Sequence, residues 1–311
     1  MESDIFYDGT VYTGSAGLAM FYLLCSHKND DYETLKAALE CLNIDGLKGK
    51  RISFLCGDAG PLALAAVISY KLGNKRPANI PDYKTLVILY GKAGYLYALL
   101  FVNKHINGKE IIPANHIERV INGILKSGKN LSLKEKSDSP LLWQWHDNVY
   151  FGAAHGMAGI FYIRPTIDWL IYQQFPSGNF PSSLTSTSGD KLVQWCHGAP
   201  GFVFDDDKYM KVAIQLGDVI WQRGLCTKGY SICHGVSGNA YAFLQLYQTT
   251  KKPMYLYRAG CFMEWCAVAR PGTELHRPDR PASLFEGLLG RLFLAEDICH
   301  AMDARFPGFS V

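Results

Sequence analysis

Two kinds of apolar segment alternate along this chain. In Leu18 to Leu24, Leu62 to Tyr70, Tyr95 to Val102 and Ala240 to Leu246 the apolar residues leave no wet stripe at helical spacing. Tyr32 to Leu42, His116 to Leu125 and Met210 to Trp221 instead keep a polar face at the 3.6-residue period. No run alternates with the two-residue period of a half-buried strand. Pairing a helix that is apolar all round with one that has a single wet face is what an inner and an outer ring of helices requires. The pattern therefore predicts an all-α protein, an α/α toroid, as a single domain over residues 1–311.

Glycines punctuate the pattern. Gly-x-x-Gly occurs seven times, at Gly14–Gly17, Gly57–Gly60, Gly91–Gly94, Gly156–Gly159, Gly198–Gly201, Gly235–Gly238 and Gly287–Gly290, and most copies open an apolar stretch. Glycine allows a sharp turn and close backbone approach there. Because each copy holds the same place in its repeat, the seven turns are expected to gather at one end of the barrel, and chemistry is sought there. Two copies depart from the rule. Gly159 is followed by Ile160-Phe161-Tyr162-Ile163-Arg164-Pro165 and Gly201 by Phe202-Val203-Phe204-Asp205-Asp206-Asp207, so these inner helices are expected to be shortened to about one turn.

Composition narrows the class. The chain is 48% hydrophobic and 19% charged, which fits a folded protein with a large core. Its 31 Lys+Arg against 28 Asp+Glu leave a net charge of +3, with no basic patch to meet nucleic acid. No apolar run approaches the roughly 18–20 residues that span a bilayer, so no integral membrane segment is expected. Met1-Glu2-Ser3-Asp4 lacks the basic and apolar regions of a signal peptide. Nine scattered cysteines do not form a secreted disulfide framework, and a cytoplasmic protein with reduced thiols is expected, most of them, such as Cys25 and Cys261, packed in the core.

Three consecutive glycine pairs are preceded by residues with chemical capacity: Ala154-His155-Gly156, Trp195-Cys196-His197-Gly198 and Ile232-Cys233-His234-Gly235. Equivalent positions of a repeat converge, so these residues can meet. Thiolates and imidazole are the ligands a tetrahedral zinc prefers, and two Cys with one His leave a fourth position open, as in a catalytic site. Spacing alone does not choose three ligands among Cys196, His197, Cys233 and His234. His155 could be a ligand or a general acid/base. A glycosidase of similar architecture would need opposed carboxylates, for which Asp58 and Glu286 are the pair at repeat turns.

With these residues in view, the chain resembles the eukaryotic LanC-like proteins over nearly its whole length. The resemblance is carried by Asp8-Gly9-Thr10-Val11-Tyr12-Thr13-Gly14, Phe54-Leu55-Cys56-Gly57-Asp58-Ala59-Gly60-Pro61, Gly152-Ala153-Ala154-His155-Gly156, Trp195-Cys196-His197-Gly198-Ala199-Pro200-Gly201, Lys228-Gly229-Tyr230 with Cys233-His234-Gly235, and Ser283-Leu284-Phe285-Glu286-Gly287. It implies a double ring of helices with zinc on Cys196, Cys233 and His234 and with His197 as a neighbour. It further implies that glutathione is bound and its thiol added to dehydroalanine or dehydrobutyrine in peptides or proteins, with His155 as proton donor, and signalling proteins as further partners. Lys228 matches a glutathione-contacting lysine. The loop His276-Arg277-Pro278-Asp279-Arg280-Pro281 resembles the family's Arg-x-Pro-Asp loop, which assigns glutathione contacts to Arg277 and Asp279. Counting back from Ser283 puts His276 at the family's arginine, and Arg277 takes that role if one residue is deleted. The segment Leu72 to Leu89 is shorter than in the family.

Overall fold

The computed structural model describes residues 8–29, 31–47, 51–73, 92–106, 111–154, 156–159, 164–203, 207–225, 228–268 and 278–308. Among them lie ten α-helices: α1 (Ser15–Asn29), α2 (Tyr32–Glu40), α3 (Ala59–Lys71), α4 (Lys92–His105), α5 (Ala114–Lys134), α6 (Arg164–Ile171), α7 (Met210–Arg223), α8 (Val236–Thr250), α9 (Pro253–Ala267) and α10 (Leu288–Cys299). The described residues contain no β-strand, only three isolated bridges. None of their helices is long and apolar enough to cross a membrane. Two compact units are distinguished. One holds Met1–Lys126, Ala282–Phe285 and Gly308–Val311, and the other Ser127–Pro281 and Glu286–Pro307.

Burial follows the apolar pattern. All residues of α3 from Ala59 to Ile68 are buried, as are those of α8 from Val236 to Leu244. Helix α2 buries Leu35 and Ala38 and turns its charges outward. Its start is fixed by Asp31, whose carboxylate accepts the Glu33 amide at 3.1 Å and the Thr34 hydroxyl, satisfying donors that the first turn leaves open. Helices α8 and α9 form an antiparallel pair. Lys251 ends α8 in the left-handed region (φ 57°), and Pro253 opens α9 where its missing N–H costs nothing.

The glycine pairs share one backbone design. At Gly17, Gly60, Gly159, Gly201 and Gly238 a Cβ would overlap the carbonyl oxygen six residues earlier, of Val11, Phe54, Ala153, Trp195 and Ile232 respectively. The amide after the first glycine then closes the loop onto the carbonyl seven residues back: Ser15 to Asp8 at 3.0 Å, Asp58 to Arg51 at 2.8 Å, Met157 to Tyr150 at 3.0 Å, Val236 to Gly229 at 3.0 Å and Leu288 to Pro281 at 2.7 Å. Glycine is required because the chain crosses itself with no room for a side chain. The loops are also stitched sideways through the residue two before the first glycine. In the first unit Phe285 N–H donates to Tyr12 C=O at 3.2 Å and Tyr12 N–H to Leu55 C=O at 2.9 Å. The Tyr12 and Phe285 rings stack there at 4.9 Å.

The two shortened copies are as the sequence predicts. Where other copies open a full helix, Met157–Gly159 and Ala199–Phe202 form single 3-10 turns. Cys261 is only half-buried, since its face of α9 borders solvent, whereas Cys266 on the same helix is fully buried. The side chain of Cys25 lies outside the described residues.

Candidate metal centre

All of the described centre lies in the second unit. Gln194 and His197 exchange both backbone hydrogen bonds, at 3.0 and 3.1 Å, and this tight turn carries Trp195 and Cys196 at its tip. Trp195 anchors it by stacking on Phe306 at 4.4 Å. The second ligand-bearing loop ends at α8, where the Ser231 hydroxyl accepts the His234 amide at 3.2 Å. The two loops are joined by the same sideways bond that links other copies: Cys196 N–H donates to Cys233 C=O at 3.0 Å. Behind the turn stands Gly152, where a Cβ would overlap the Cys196 carbonyl, so this motif glycine gives the loop its seat.

The result is a cluster of Cys196, Cys233 and His234, with one ligand atom from each lying within 4.8 Å of the others. Both cysteines are buried and His234 is half-buried. A tetrahedral zinc with Zn–S of about 2.3 Å and Zn–N of about 2.0 Å places such atoms about 3.5–3.8 Å apart. The donor set therefore fits that ion, with one side left for a fourth ligand. The Cys233 thiol is pushed well above its usual value, first by its hydrogen bond with Cys196 and then by burial, while His234 pulls the other way. Two buried thiols side by side cannot both ionise unless a cation compensates them, and a divalent metal is the compensation this chemistry suits.

Around the three stand groups with separate parts. Gln194, buried, donates its amide to Cys196 Sγ at 3.3 Å. His197 lies beside the cluster, and burial, with the charges of Lys228 and His234 after it, lowers its pKa. Lys228 is exposed, near enough for its charge to act on His197. The Tyr150 ring lies 6.0 Å from that of His197. Asp279 is exposed. His155, His276 and Arg277 lie outside the described residues. Gln194 carries no motif signal, although a glutamine between apolar Val193 and Trp195 is a polar residue that a buried loop must employ.

Comparison with known proteins places the chain in a family. Residues 5–311 match the family described as lanthionine synthetase C-like protein. The protein named Glutathione S-transferase LANCL1 of Danio rerio is 38% identical over 354 aligned residues, covering 98% of this chain and 85% of that protein. LanC-like protein GCL1 of Arabidopsis thaliana is 31% identical over 359, covering 98% and 82%. Both alignments are longer than the 311-residue chain, so this chain is shorter than its relatives within the matched region. Among solved structures, nisin cyclase superposes with a TM-score of 0.64 at 16% identity, covering 97% of this chain and 90% of the cyclase. That likeness assigns the fold class, the all-α LanC-type α/α toroid predicted from the paired helices. With the match running from residue 5 to residue 311, the chain belongs to the lanthionine synthetase C-like protein family.

Proposed function

We propose that this chain is a cytoplasmic, zinc-dependent glutathione transferase that joins the glutathione thiol to dehydroalanine or dehydrobutyrine residues of peptides and proteins. The observation that carries this reading is the convergence of Cys196, Cys233 and His234, two thiols and an imidazole with ligand atoms within 4.8 Å. The relative named a glutathione S-transferase supplies the thiol class. Cys196, Cys233 and His234 would hold the zinc, which would supply one chemical capacity, lowering the pKa of an incoming thiol so that it is thiolate near neutral pH.

The chain's own residues do the rest. Lys228, exposed beside His197, offers its ammonium to a carboxylate of the acidic tripeptide. Asp279, also exposed, offers a carboxylate to the tripeptide's ammonium group, and Arg277 is assigned a second cationic contact. The glutathione sulfur, its proton released to solvent, attacks the alkene β-carbon, an S–C bond forms, and the π electrons move toward the neighbouring carbonyl. His155 delivers a proton to the α-carbon, which completes the addition.

The shortness of the chain relative to its relatives favours one second reading, a protein that holds zinc and glutathione without turnover. Incubating zinc-loaded protein with glutathione and a dehydroalanine peptide, and weighing the peptide by mass spectrometry, separates the two. A single glutathione adduct that is absent with Cys233→Ala supports the transferase. Glutathione binding in titration calorimetry without adduct would make the second reading correct.

A further inference from the structure

Six described copies of the glycine pair invite comparison loop by loop, and one is built differently. In five, the amide after the first glycine closes directly onto the carbonyl seven residues back. In the copy that carries Cys196 the corresponding groups are Ala199 N–H and Leu192 C=O, and a side chain stands between them. Asn179 accepts the Ala199 amide on Oδ1 at 2.8 Å and donates from Nδ2 to the Leu192 carbonyl at 2.9 Å. The carboxamide thus continues the bond that other loops make alone, and the loop is wider by one amide group.

Two further observations show that this insertion is a built feature. Gly198, alone among the described first glycines of the pairs, has a left-handed φ of 103°, and a side chain there would collide with Leu192 and lie 2.9 Å from Asn179 Oδ1. Asn179 is fully buried, and its second amide hydrogen goes to Asp190 Oδ1 at 2.8 Å. Arg223, at the end of α7, grips Asp190 with bonds of 2.9 and 3.0 Å to the carboxylate and 2.7 Å to its carbonyl, and Ser177 donates to the same carboxylate at 2.6 Å. Asn179 therefore has no freedom to leave the loop. The loop's next carbonyl, of Val193, is held at 2.8 Å by Asn239 of α8.

We propose that Asn179 is a positioning residue for the metal centre: by widening the Leu192–Ala199 loop it sets where Cys196 Sγ stands against the ligands of the neighbouring loop. This rests on reading Cys196, Cys233 and His234 as metal ligands. The loop's backbone is joined to Cys233 through the Cys196 amide, at 3.0 Å. Direct closure between Ala199 and Leu192 would draw the turn bearing Cys196 back by about the depth of the missing carboxamide. Groups outside the ligands that fix their orientation characteristically change metal affinity about 10- to 100-fold when removed.

The test compares wild type, Asn179→Ala, Arg223→Gln and Cys196→Ala by three readouts. These are zinc affinity in competition with a chromophoric chelator, the visible spectrum of the cobalt(II)-substituted protein, and thermal unfolding of the metal-free protein. Asn179→Ala is expected to bind zinc at least about 10-fold more weakly with displaced cobalt ligand-field bands. Arg223→Gln, a half-exposed change two steps from the loop, is expected to shift both readouts less in the same direction. If Asn179→Ala does not fold, Arg223→Gln decides alone. Wild-type affinity and an unshifted cobalt spectrum in the folded variants, with only a lower melting temperature without metal, would overturn the positioning role. A wild type that binds no metal, like Cys196→Ala, would instead overturn the reading of the ligands on which the proposal stands.

Discussion

The Cys196 amide donates to the Cys233 carbonyl at 3.0 Å, and this one bond brings together residues far apart in the chain. The same sideways link, between residues two before a glycine pair, joins Phe285 to Tyr12 and Tyr12 to Leu55. The cluster of sulfurs is therefore a consequence of the repeat. Each described copy that makes this link brings its neighbour's residues together there, and two of these copies carry cysteine.

The repeat's close crossings can be tested against a glycine that lacks one. At Gly238 a Cβ would overlap the Ile232 carbonyl, whereas at Gly260 in α9 nothing lies within 4 Å. Gly238→Ala is expected to destabilise the protein by at least about 1–3 kcal/mol, since backbone must shift. Gly260→Ala is expected to stabilise by about 0.5–1 kcal/mol through helix propensity. Denaturant unfolding of the two variants checks the opposite signs.

A buried hydrogen bond ties α8 to α10, and its loss has a predictable sign. Tyr241 donates to Asp297 Oδ2 at 2.9 Å, and Asp297 is 3% exposed. Tyr241→Phe removes a donor from a buried carboxylate and is expected to cost about 1–3 kcal/mol. Tyr241→Phe combined with Asp297→Asn should recover part of that loss in the same unfolding measurement, because the charge no longer needs the donor.

Acid stability should carry the mark of Asp190. Burial alone would raise its pKa, but hydrogen bonds from Arg223, Ser177 and Asn179, with the Arg223 charge, lower it from 3.8 to about 2. A carboxyl depressed in the folded state favours folding above its unfolded pKa, and that contribution is lost as pH falls from about 4 to about 2. Asp190→Asn should flatten this part of the stability–pH curve of the metal-free protein while leaving the slope above pH 5 unchanged. A wild-type slope between pH 4 and 2 in the variant would contradict the assignment.

Much of the fold was legible because burial on all sides leaves an unmistakable apolar run. The stretches from Leu18, Leu62, Tyr95 and Ala240 lie in α1, α3, α4 and α8, those from His116 and Met210 lie in α5 and α7, and that from Tyr32 forms α2 up to Glu40. The truncations after Gly159 and Gly201 could be read because charged or proline residues follow within a few positions. Helix α5 runs past Leu125 to Lys134, and at Gly128 within it a Cβ would overlap the Trp143 indole. At the centre, spacing left four candidate ligands open because Cys196 and His197 are neighbours and only side-chain direction separates them. Asn179 was invisible for a different reason: its partners Ala199, Leu192 and Asp190 are set by tertiary packing, and in the sequence it is merely a turn residue after Gly178.

The most direct test of the central claim is metal content. Elemental analysis of purified wild type, Cys196→Ala and Cys233→Ala should find one zinc per chain in the wild type and none in either variant, because each removes one of three ligands within 4.8 Å. A soluble, folded wild type without zinc, or zinc retained in both variants, would contradict the account.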